Sequence, residues 1–276
     1  MRLYDRSIQL VIGNSKESLV IENLKIDFEV IKTLTKDPNK ASVTITNLSE
    51  KNRNLLTSKE YNRIELKVGY GGDLRTLFYG NIDIAENVKS DVDIQTKLTC
   101  NDGQDDYRSS VMSVSLAKGA TDRDILNHAV ASMQNTTNGS QTLVNERRLP
   151  RGKVLHGLTR DIISSIAKNH DADWSIQDNQ LVVIPKDHAL ANNEGFLISE
   201  STGMIGSPHK TNDGLEVMCF LNNIMRIGQL CRVVSVIKEY NGDFKIVKML
   251  SKGTNRGGDF THVLSLQNGV FTEVKK

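Results

Sequence analysis

Apolar and polar residues alternate along most of the first 110 positions. A period of two is typical of strands that bury one face. The alternating runs are residues 7–14, 24–30, 41–48, 63–70, 76–82, 82–88 and 93–100. Ser49 follows the third run and is predicted to cap a short helix that holds Leu55 and Leu56 against the sheet. Many short strands around one helix predict a small antiparallel barrel or sandwich over residues 1–110.

The period changes in the next block, residues 111–195. Thr121 is a candidate N-cap, and the apolar residues that follow it fall on a helical stripe. A second stripe predicts a helix at about 157–169. The polar run 135–140 between the two helices is the best candidate for a mobile loop.

A hairpin follows these helices. Two apolar runs flank Asp178 and Asn179 within residues 174–185, and such a polar pair between apolar runs is a hairpin signal. With two helices and a hairpin, residues 111–195 are predicted to form an α+β insert.

Residues 196–276 return to a β pattern. Predicted strands are residues 221–227, 231–240, 244–251 and 260–266. The dipeptide Asn241-Gly242 is a strong short-range signal for a hairpin. The predicted fold class is therefore α+β and mainly β, with two small antiparallel barrel or sandwich domains flanking the insert. The two β blocks are compatible with a distant duplication.

Composition and charge narrow the functional classes. The 276 residues carry 35 basic and 33 acidic side chains, a net charge of +2, which argues against a nucleic-acid binder that acts through bulk charge. No apolar run approaches the length of a membrane-spanning helix, and the N-terminus does not resemble a secretory signal. Cys100, Cys219 and Cys231 are widely spaced and are expected to be reduced, buried thiols.

Two segments were weighed as metal sites. Residues 102–106 have the composition of a calcium loop but lack its alternating oxygen ligands and closing glutamate, so an acidic turn is the favoured interpretation. His170, Asp171 and Asp173 contain possible ligands, but they lie between a predicted helix end and a strand. No metal site is predicted.

Catalytic and cofactor motifs are also missing from the sequence. Residues 253–259 are glycine-rich, but no helix is predicted after them, which favours a long hairpin tip over a phosphate-binding loop. Residues 147–153 are the densest basic stretch, either a solvated loop or a contact for an acidic partner. Trp174 is predicted to pack in the insert, with Gln177 or Asp178 as partner of its indole N–H. No catalytic, cofactor-binding or metal-binding residue is assigned, and no cofactor is expected.

Several segments resemble phage baseplate hub proteins. The resemblance covers most of the first two blocks and is a pattern of strands rather than a catalytic signature. The matching segments are residues 27–33, 38–49, 65–70, 77–82, 100–103, 116–121 and 172–177.

This resemblance implies a structural virion protein that acts as a homotrimer at the tail tip. In the family, each subunit carries two tube-like β domains, so that three subunits join a threefold central spike to the sixfold tail tube. The implied partners are the spike, the tail tube or its initiator, baseplate wedge proteins and DNA that passes through the channel without sequence-specific binding. The resemblance implies no enzymatic activity and no membrane insertion, with assembly in the host cytoplasm.

Three alternatives stay open. The hub of a phage-like bacteriocin or of a secretion system is expected to have the same fold. A cell-wall hydrolase is the main alternative from a different class, because a pair of acidic catalytic residues cannot be identified from sequence alone. A carbohydrate-binding module is the third, although an aromatic content of 5% with a single tryptophan leaves few residues for stacking on sugars.

Overall fold

The computed structural model describes residues 5–144, 146–190 and 195–274. The first β block holds most of the predicted strands, and the runs predicted at 76–82 and 82–88 are one long strand. Its elements are β1 (Arg6–Gly13), β2 (Ser18–Ile21), β3 (Ile26–Thr33), β4 (Lys40–Thr46), α1 (Glu50–Thr57), β5 (Arg63–Tyr70), β6 (Asp73–Ser90) and β7 (Asp93–Asn101). Ser49 caps α1 as predicted, because its hydroxyl accepts the N–H of Asn52.

A short helix, α2 (Gln104–Ser109), precedes the insert, and the insert itself contains both predicted helices. The elements of the insert are β8 (Val111–Leu116), α3 (Asp122–Ala131), β9 (Thr137–Gln141), β10 (Lys153–Leu158), α4 (Thr159–Asn169), β11 (Ala172–Gln177), β12 (Gln180–Pro185) and β13 (His188–Leu190). The loop predicted at 135–140 is wrong for its second half, since residues from Thr137 onward form β9 and pair in parallel with β12.

Two local predictions in the insert are confirmed. Thr121 caps α3 in a complete capping box with Asp124. Asp178 and Asn179 join β11 to β12 with φ angles of 51° and 62°. Two successive positive φ angles are typical of a type I′ turn, whose twist matches that of the flanking strands.

The last block is also rich in strands. Its elements are β14 (Phe196–Ser199), a 3₁₀ turn (Glu200–Thr202), β15 (Met204–Lys210), β16 (Gly214–Phe220), β17 (Leu230–Val234), a second 3₁₀ turn (Lys238–Tyr240), β18 (Gly242–Thr254), β19 (Phe260–Asn268) and β20 (Thr272–Val274). β15 and β16 lie in a region where the alternation predicted no strand.

Two of the strands predicted for this block differ from those in the structure. Residues 221–227 form a loop that buries Leu221, Met225 and Ile227, so their apolar pattern reflects burial rather than a strand. The strand predicted at 231–240 ends at Val234. The hairpin predicted at Asn241-Gly242 is present, because β17 pairs with β18 in antiparallel orientation. Its connection runs over residues 235–241 and closes where the Asn241 side chain accepts the Ser235 N–H at 2.7 Å.

One sheet runs through both β blocks. Its strand order is β15-β16-β19-β18-β3-β4-β7-β6-β5-β1-β2, with β17 on β18 and β14 on β17. The path is open at its ends, so the prediction of a mainly β, α+β fold is confirmed but neither block is a closed barrel. The pairing of β18 with β3 connects the two blocks directly.

The two β blocks share a strand order. β3-β4-β7-β6 in the first block corresponds to β15-β16-β19-β18 in the last. Each block contains one long strand, β6 in the first block and β18 in the last. The first part of this strand pairs with the strand that precedes it in the chain, and its later part pairs with the strand that follows it. Both long strands also change register in the middle, β6 between Ile82 and Ile84 and β18 between Ile246 and Lys248.

The apolar cores follow this organisation. One cluster contains buried residues from both β blocks, and a second lies within the insert. Where the blocks meet, the ring of Phe260 contacts Phe28 and Tyr70 edge-on, with centroids 6.0 and 5.3 Å apart. The two β blocks therefore share one hydrophobic core, to which β12 of the insert adds Val182 and Ile184, whereas most other buried residues of the insert form the second core. Among the described residues, no helix has the length and apolar composition needed to cross a membrane.

Candidate assembly surface

The most extended surface feature is one face of the sheet that joins the β blocks. Alternation turns every second residue of β16, β19, β18, β3, β4, β7 and the end of β6 away from the core. We call these residues the outer sheet face. They are Glu216, Met218, Phe220, Thr261, Val263, Ser265, Lys248, Leu250, Lys252, Asp27, Glu29, Ile31, Lys40, Ser42, Thr44, Gln95, Lys97, Thr99, Ile84, Glu86 and Val88.

Charge is balanced on the outer sheet face. It has four lysines and four carboxylates, and two pairs of them are neighbours: Lys252 Nζ is 2.9 Å from Glu29 Oε2, and Lys97 is opposite Glu86 on the neighbouring strand. The other charged members are Lys40, Lys248, Asp27 and Glu216. The uncharged members are of two kinds. An apolar row runs through Met218, Val263, Leu250 and Ile31, and Phe220, Ile84 and Val88 are apolar as well, whereas the others are threonine, serine and glutamine.

The strands that carry this face end in two free edges. Within the residues that the structure describes, β15 pairs only with β16, and residues 82–90 of β6 pair only with β7. Unpaired edges expose backbone donors and acceptors and readily pair with another chain. Each chain therefore offers two long edges at opposite ends of the same sheet.

A polar cluster fixes the insert to the first β block. We call it the insert junction; it consists of Lys32, Asn39, Asp102, Gln177 and Asp178. Lys32 Nζ lies 2.6 and 2.7 Å from the Asp178 carboxylate oxygens, and Asn39 donates to the Ile176 carbonyl at 2.9 Å. Gln177 donates to the Thr33 carbonyl at 2.8 Å. Lys32 alternates with outward-facing neighbours on β3, so the insert binds on the side of β3 opposite to the outer sheet face.

Asp102 is the buried centre of the insert junction. It accepts the backbone N–H groups of Asp178 and Asn179 at 2.6 and 3.0 Å. Burial and the nearby Asp178 carboxylate raise the pKa of Asp102 to about 7, although the two N–H donors and Lys32 lower it. Gly103 follows with φ +67°, and a Cβ there would lie 2.7 Å from Ile176, so the close approach of the hairpin requires glycine.

The residues weighed as calcium ligands bind the protein itself. Asp102 belongs to the insert junction. Asp106 accepts the N–H groups of Gln134 and Asn135 and the hydroxyl of Thr136 at 2.7–2.9 Å. These carboxylates therefore fix loops rather than form one ligand set.

His170 and Asp171, two of the three residues weighed as metal ligands beside Asp173, have separate partners. His170 Nε2 lies 2.9 Å from Asp122, while Asp171 pairs with Lys186 at 2.7 Å. Burial raises the pKa of Asp173. Within the part of the chain that the structure describes, no three His, Cys, Asp or Glu side chains are grouped closely enough to hold a metal ion.

The glycine-rich and basic segments have structural partners. Residues 255–259 form the tip of the β18–β19 hairpin, as predicted, and Arg6 donates to the Gly258 carbonyl at 2.6 Å. In the basic stretch, Arg147 pairs with the buried Asp122 at 3.0 Å. Residues 150–153 of that stretch are exposed.

Trp174 and the cysteines lie in the cores. The prediction that Trp174 packs within the insert is confirmed, but its partner was wrong: the indole N–H donates to Ser164 Oγ at 3.0 Å, because α4 lies against β11. All three cysteines are free and buried, and burial raises the pKa of Cys100 and Cys219 to about 12. The prediction of reduced, buried thiols agrees with this placement.

Sequence reasoning missed the outer sheet face and the insert junction. The exposed half of each alternating strand was visible, but the face emerges only when β18 pairs with β3, whose positions are more than 200 residues apart. Lys32 gave a local signal, since it is a lysine on the apolar side of an alternating strand. A buried lysine needs a partner, and that partner is a turn residue in the insert.

Comparisons with known proteins agree with this architecture. The sequence profile of the family described as Baseplate hub gp41 matches residues 7–265. A search of curated protein sequences gives no significant match.

Solved structures share the fold at low sequence identity. A tail protein from Neisseria meningitidis MC58 is 11% identical with a TM-score of 0.63, over 97% of this chain and 98% of that chain. The 43 kDa tail protein of prophage MuSo2 from Shewanella oneidensis is 11% identical with a TM-score of 0.63, over 95% and 98%. An Escherichia coli type VI secretion component, described as similar to T4 tail proteins gp27 and gp5, is 10% identical with a TM-score of 0.61, over 95% and 80%.

Proposed function

This chain belongs to the Baseplate hub gp41 family and is a structural component of a phage tail, and from this premise we propose that three copies form the hub at the tail tip. The hub joins a threefold central spike to the sixfold tail tube. Its other partners are baseplate wedge proteins and the DNA that passes through it. It has no enzymatic role, and it assembles in the host cytoplasm before it becomes part of the virion.

The observation that carries this proposal is the pair of β blocks with one strand order. Two similar units per chain give six similar units in a trimer, which is the number needed to match a sixfold tube. The β18–β3 pairing already holds two such units side by side in one sheet. Two free edges per chain allow heterologous contacts that close into a ring.

The outer sheet face supports a channel role for this ring. DNA binds to surfaces that neutralise its phosphates, so a strongly cationic bore retains the genome. On the outer sheet face, four lysines are balanced by four carboxylates, and the pair of Lys252 and Glu29 is in direct contact. A lining without excess positive charge lets DNA pass without tight binding.

The position of the insert supports the same orientation. It binds through the insert junction on the side of β3 opposite to the outer sheet face. When the outer sheet face lines the channel, the insert is on the outside of the ring, where wedge proteins have access to it.

Two measurements on the purified protein test the trimeric hub. We expect light scattering to give the mass of a trimer, and negative-stain images of the same peak to show a ring with a central hole. A monomer that also fails to assemble with its spike protein contradicts the proposal. A cleared band in a peptidoglycan zymogram, lost on substitution of one carboxylate, contradicts the non-enzymatic role.

Cysteine labelling tests which face lines the channel. Ser42→Cys places a thiol on the outer sheet face, whereas Ser113→Cys places one on the exposed surface of the insert. In the trimer, a bulky maleimide is expected to label Ser113→Cys much faster than Ser42→Cys. A small maleimide is the control, because it should reach both sites. Equal rates with the bulky reagent contradict the channel assignment.

A further inference from the structure

We propose that the β6–β7 hairpin of one copy docks beside β15 of a second copy. Residues 82–90 then continue the sheet, and Val92 at the hairpin tip enters a groove next to β15. This inference rests on the trimeric ring proposed above and identifies the contact that closes it.

The chain contains an internal template for this contact. The end of β18 pairs with β3 in antiparallel orientation, with Thr254 opposite Asp27. β6 occupies the position of β18 in the first block, and β15 occupies the position of β3 in the last. Only β18 finds its partner within the chain, whereas the matching edges of β6 and β15 are free among the described residues.

The hairpin tip has a template as well. Beyond β18, the Asn255 side chain accepts the Ile26 N–H at 3.0 Å and donates to the Leu24 carbonyl at 2.7 Å. The β18–β19 tip therefore docks on the segment just before β3. By correspondence, the β6–β7 tip is expected on the segment just before β15, which is the 3₁₀ turn Glu200–Thr202.

The matching register shifts set the alignment. Superposing the shift in β6 on the shift in β18 gives Ser90 the place of Thr254. When the same alignment is followed through the paired residues of neighbouring strands, Ile205 of β15 has the position that Asp27 has in β3. Ser90 of one copy is then expected opposite Ile205 of the next.

A groove lies where this alignment places the tip. It has a volume of about 820 Å³ and opens between the start of β15 and the residues after β17. Three apolar residues of its lining, Met204, Val234 and Val236, lie among serines, a glycine and Glu200. Val236 is 88% exposed in the single chain.

The hairpin carries apolar side chains that fit this groove. Val92 at its tip is 93% exposed, and Ile84 on the free edge is more than half exposed. Burial of Val92 against Val234 and Val236 is favourable because it removes apolar surface from water. A second copy is the occupant because the groove is continuous with the free edge of β15, which the same hairpin extends.

A cysteine pair tests the pairing directly. Ser90→Cys with Ile205→Cys should form an intermolecular disulfide on mild oxidation and give covalent trimers on a non-reducing gel, because opposite residues on neighbouring strands lie within disulfide range. Ser90→Cys with His209→Cys, at the other end of β15, is the control and should not cross-link. The native cysteines are buried and should not compete.

The outcomes separate this inference from the trimer itself. A trimer by light scattering that cross-links through Ser90 and Ile205 supports both. A trimer that resists cross-linking, or in which the control pair links equally well, overturns the pairing and leaves the hub intact. A monomer at all concentrations, alone and with its spike protein, contradicts the trimer and removes this contact with it.

A charge placed in the groove tests the apolar part of the contact. Val92→Asp and Val236→Asp are each expected to weaken trimer formation by about tenfold or more, because an uncompensated charge is costly in an apolar contact. Val270→Asp, at a position that is 97% exposed outside the groove, should leave it unchanged. Combining Val92→Asp with Val236→Lys should restore part of the loss. Equal effects of all three single substitutions overturn the docking of the tip.

Discussion

The two β blocks share a strand order but stabilise their connections in different ways. The first block uses helix α1 between β4 and β5, whereas the last block has a loop at the same place, between β16 and β17. The fully buried His262 supports that loop: its Nε2 lies 3.1 Å from the Asn222 carbonyl oxygen, and its Nδ1 lies 2.8 Å from Ser251 Oγ. A buried polar contact can thus do in one block what a helix does in the other.

The last block also uses a buried lysine to stabilise its connections. Lys245 donates to the carbonyl oxygens of Lys186 and His188 at 2.7 and 3.2 Å, and its ammonium lies 5.1 Å from the centre of the Phe271 ring. It thereby holds the link from the insert and the segment after β19 against the last block. Alternation defines the strands of both blocks, but the connections depend on particular polar side chains.

We expect the largest loss of stability from a substitution that weakens the core that the two blocks share. Phe260→Ala removes a buried ring that contacts Phe28 and Tyr70, and we expect it to lower the free energy of unfolding by about 3–5 kcal/mol. Urea unfolding measures the loss. Phe220→Ala on the adjacent strand is the control; its ring is 41% exposed and should cost much less. Similar losses would contradict a shared core at Phe260.

The second prediction concerns the insert junction, which only the first block has. Lys32→Met leaves Asp178 without its cation and should cost about 2–3 kcal/mol, less than for a fully buried pair because the Asp178 side chain is 27% exposed. Lys32→Met with Asp178→Asn should recover part of the loss. Urea unfolding followed by Trp174 fluorescence measures it. Lys252→Met, which breaks an exposed pair, is the control, and an equal effect there would contradict the assignment.

The third prediction uses His262, which sets the last block apart. Burial lowers its pKa to about 4, so the folded protein keeps it neutral while the unfolded chain protonates it near pH 6.5. The contribution of neutral His262 to the free energy of unfolding is complete above pH 6.5. It decreases as the pH drops toward 4, and the decrease is about 2 kcal/mol at pH 5.

Comparison with His262→Gln isolates this contribution. Because the pKa of Asp102 is raised in the folded protein, this group increases the free energy of unfolding as the pH falls from 7 to 4, whereas His262 decreases it. The total stability of the wild type therefore does not report on His262 alone. We expect the difference in unfolding free energy between the wild type and His262→Gln to shrink as the pH falls. A difference that is constant from pH 7 to 5 would contradict a neutral, buried His262.

The smallest expected effects concern helix caps. Ser49→Ala removes the cap of α1, the helix that the last block lacks, and Thr121→Ala removes the capping box of α3. Thr121 accepts the Asp124 N–H at 3.2 Å and its own N–H binds the Asp124 carboxylate at 2.8 Å, whereas the Ser49 contact is 3.5 Å long. Thermal unfolding should show a loss of about 1 kcal/mol for Thr121→Ala and less for Ser49→Ala. A larger loss for Ser49→Ala than for Thr121→Ala would contradict the stronger cap that we assign to Thr121.

Much of the fold could be predicted because its signals are local. The strand at 63–70, the turn at Asp178 and Asn179 and the cap at Thr121 each depend on neighbouring residues, and all three are confirmed. The strand predicted at 221–227 was wrong because an apolar run shows burial but not conformation. Its residues are buried as a loop, held by His262 from a strand that is about 40 positions away.

The candidate site could not be predicted in the same way. The outer sheet face depends on the pairing of β18 with β3, and the insert junction depends on Lys32 meeting Asp178 across 146 positions. Long-range partners leave no periodic signal in a single sequence. The resemblance to baseplate hubs supplied the family, but it supplied no residue on either surface.

The sequence by itself determined which side of each strand is apolar, where the insert interrupts the β pattern and which residues cap the helices, because these follow from side chains that are close along the chain. Tertiary structure alone decided that the two β blocks share a sheet and that Lys32 is buried and paired. It also decided that, within the described residues, β15 and residues 82–90 of β6 each pair along one edge only. The physical reason is that strand pairing satisfies backbone hydrogen bonds, which every residue except proline carries alike. The choice of partner therefore depends on the packing of the whole chain.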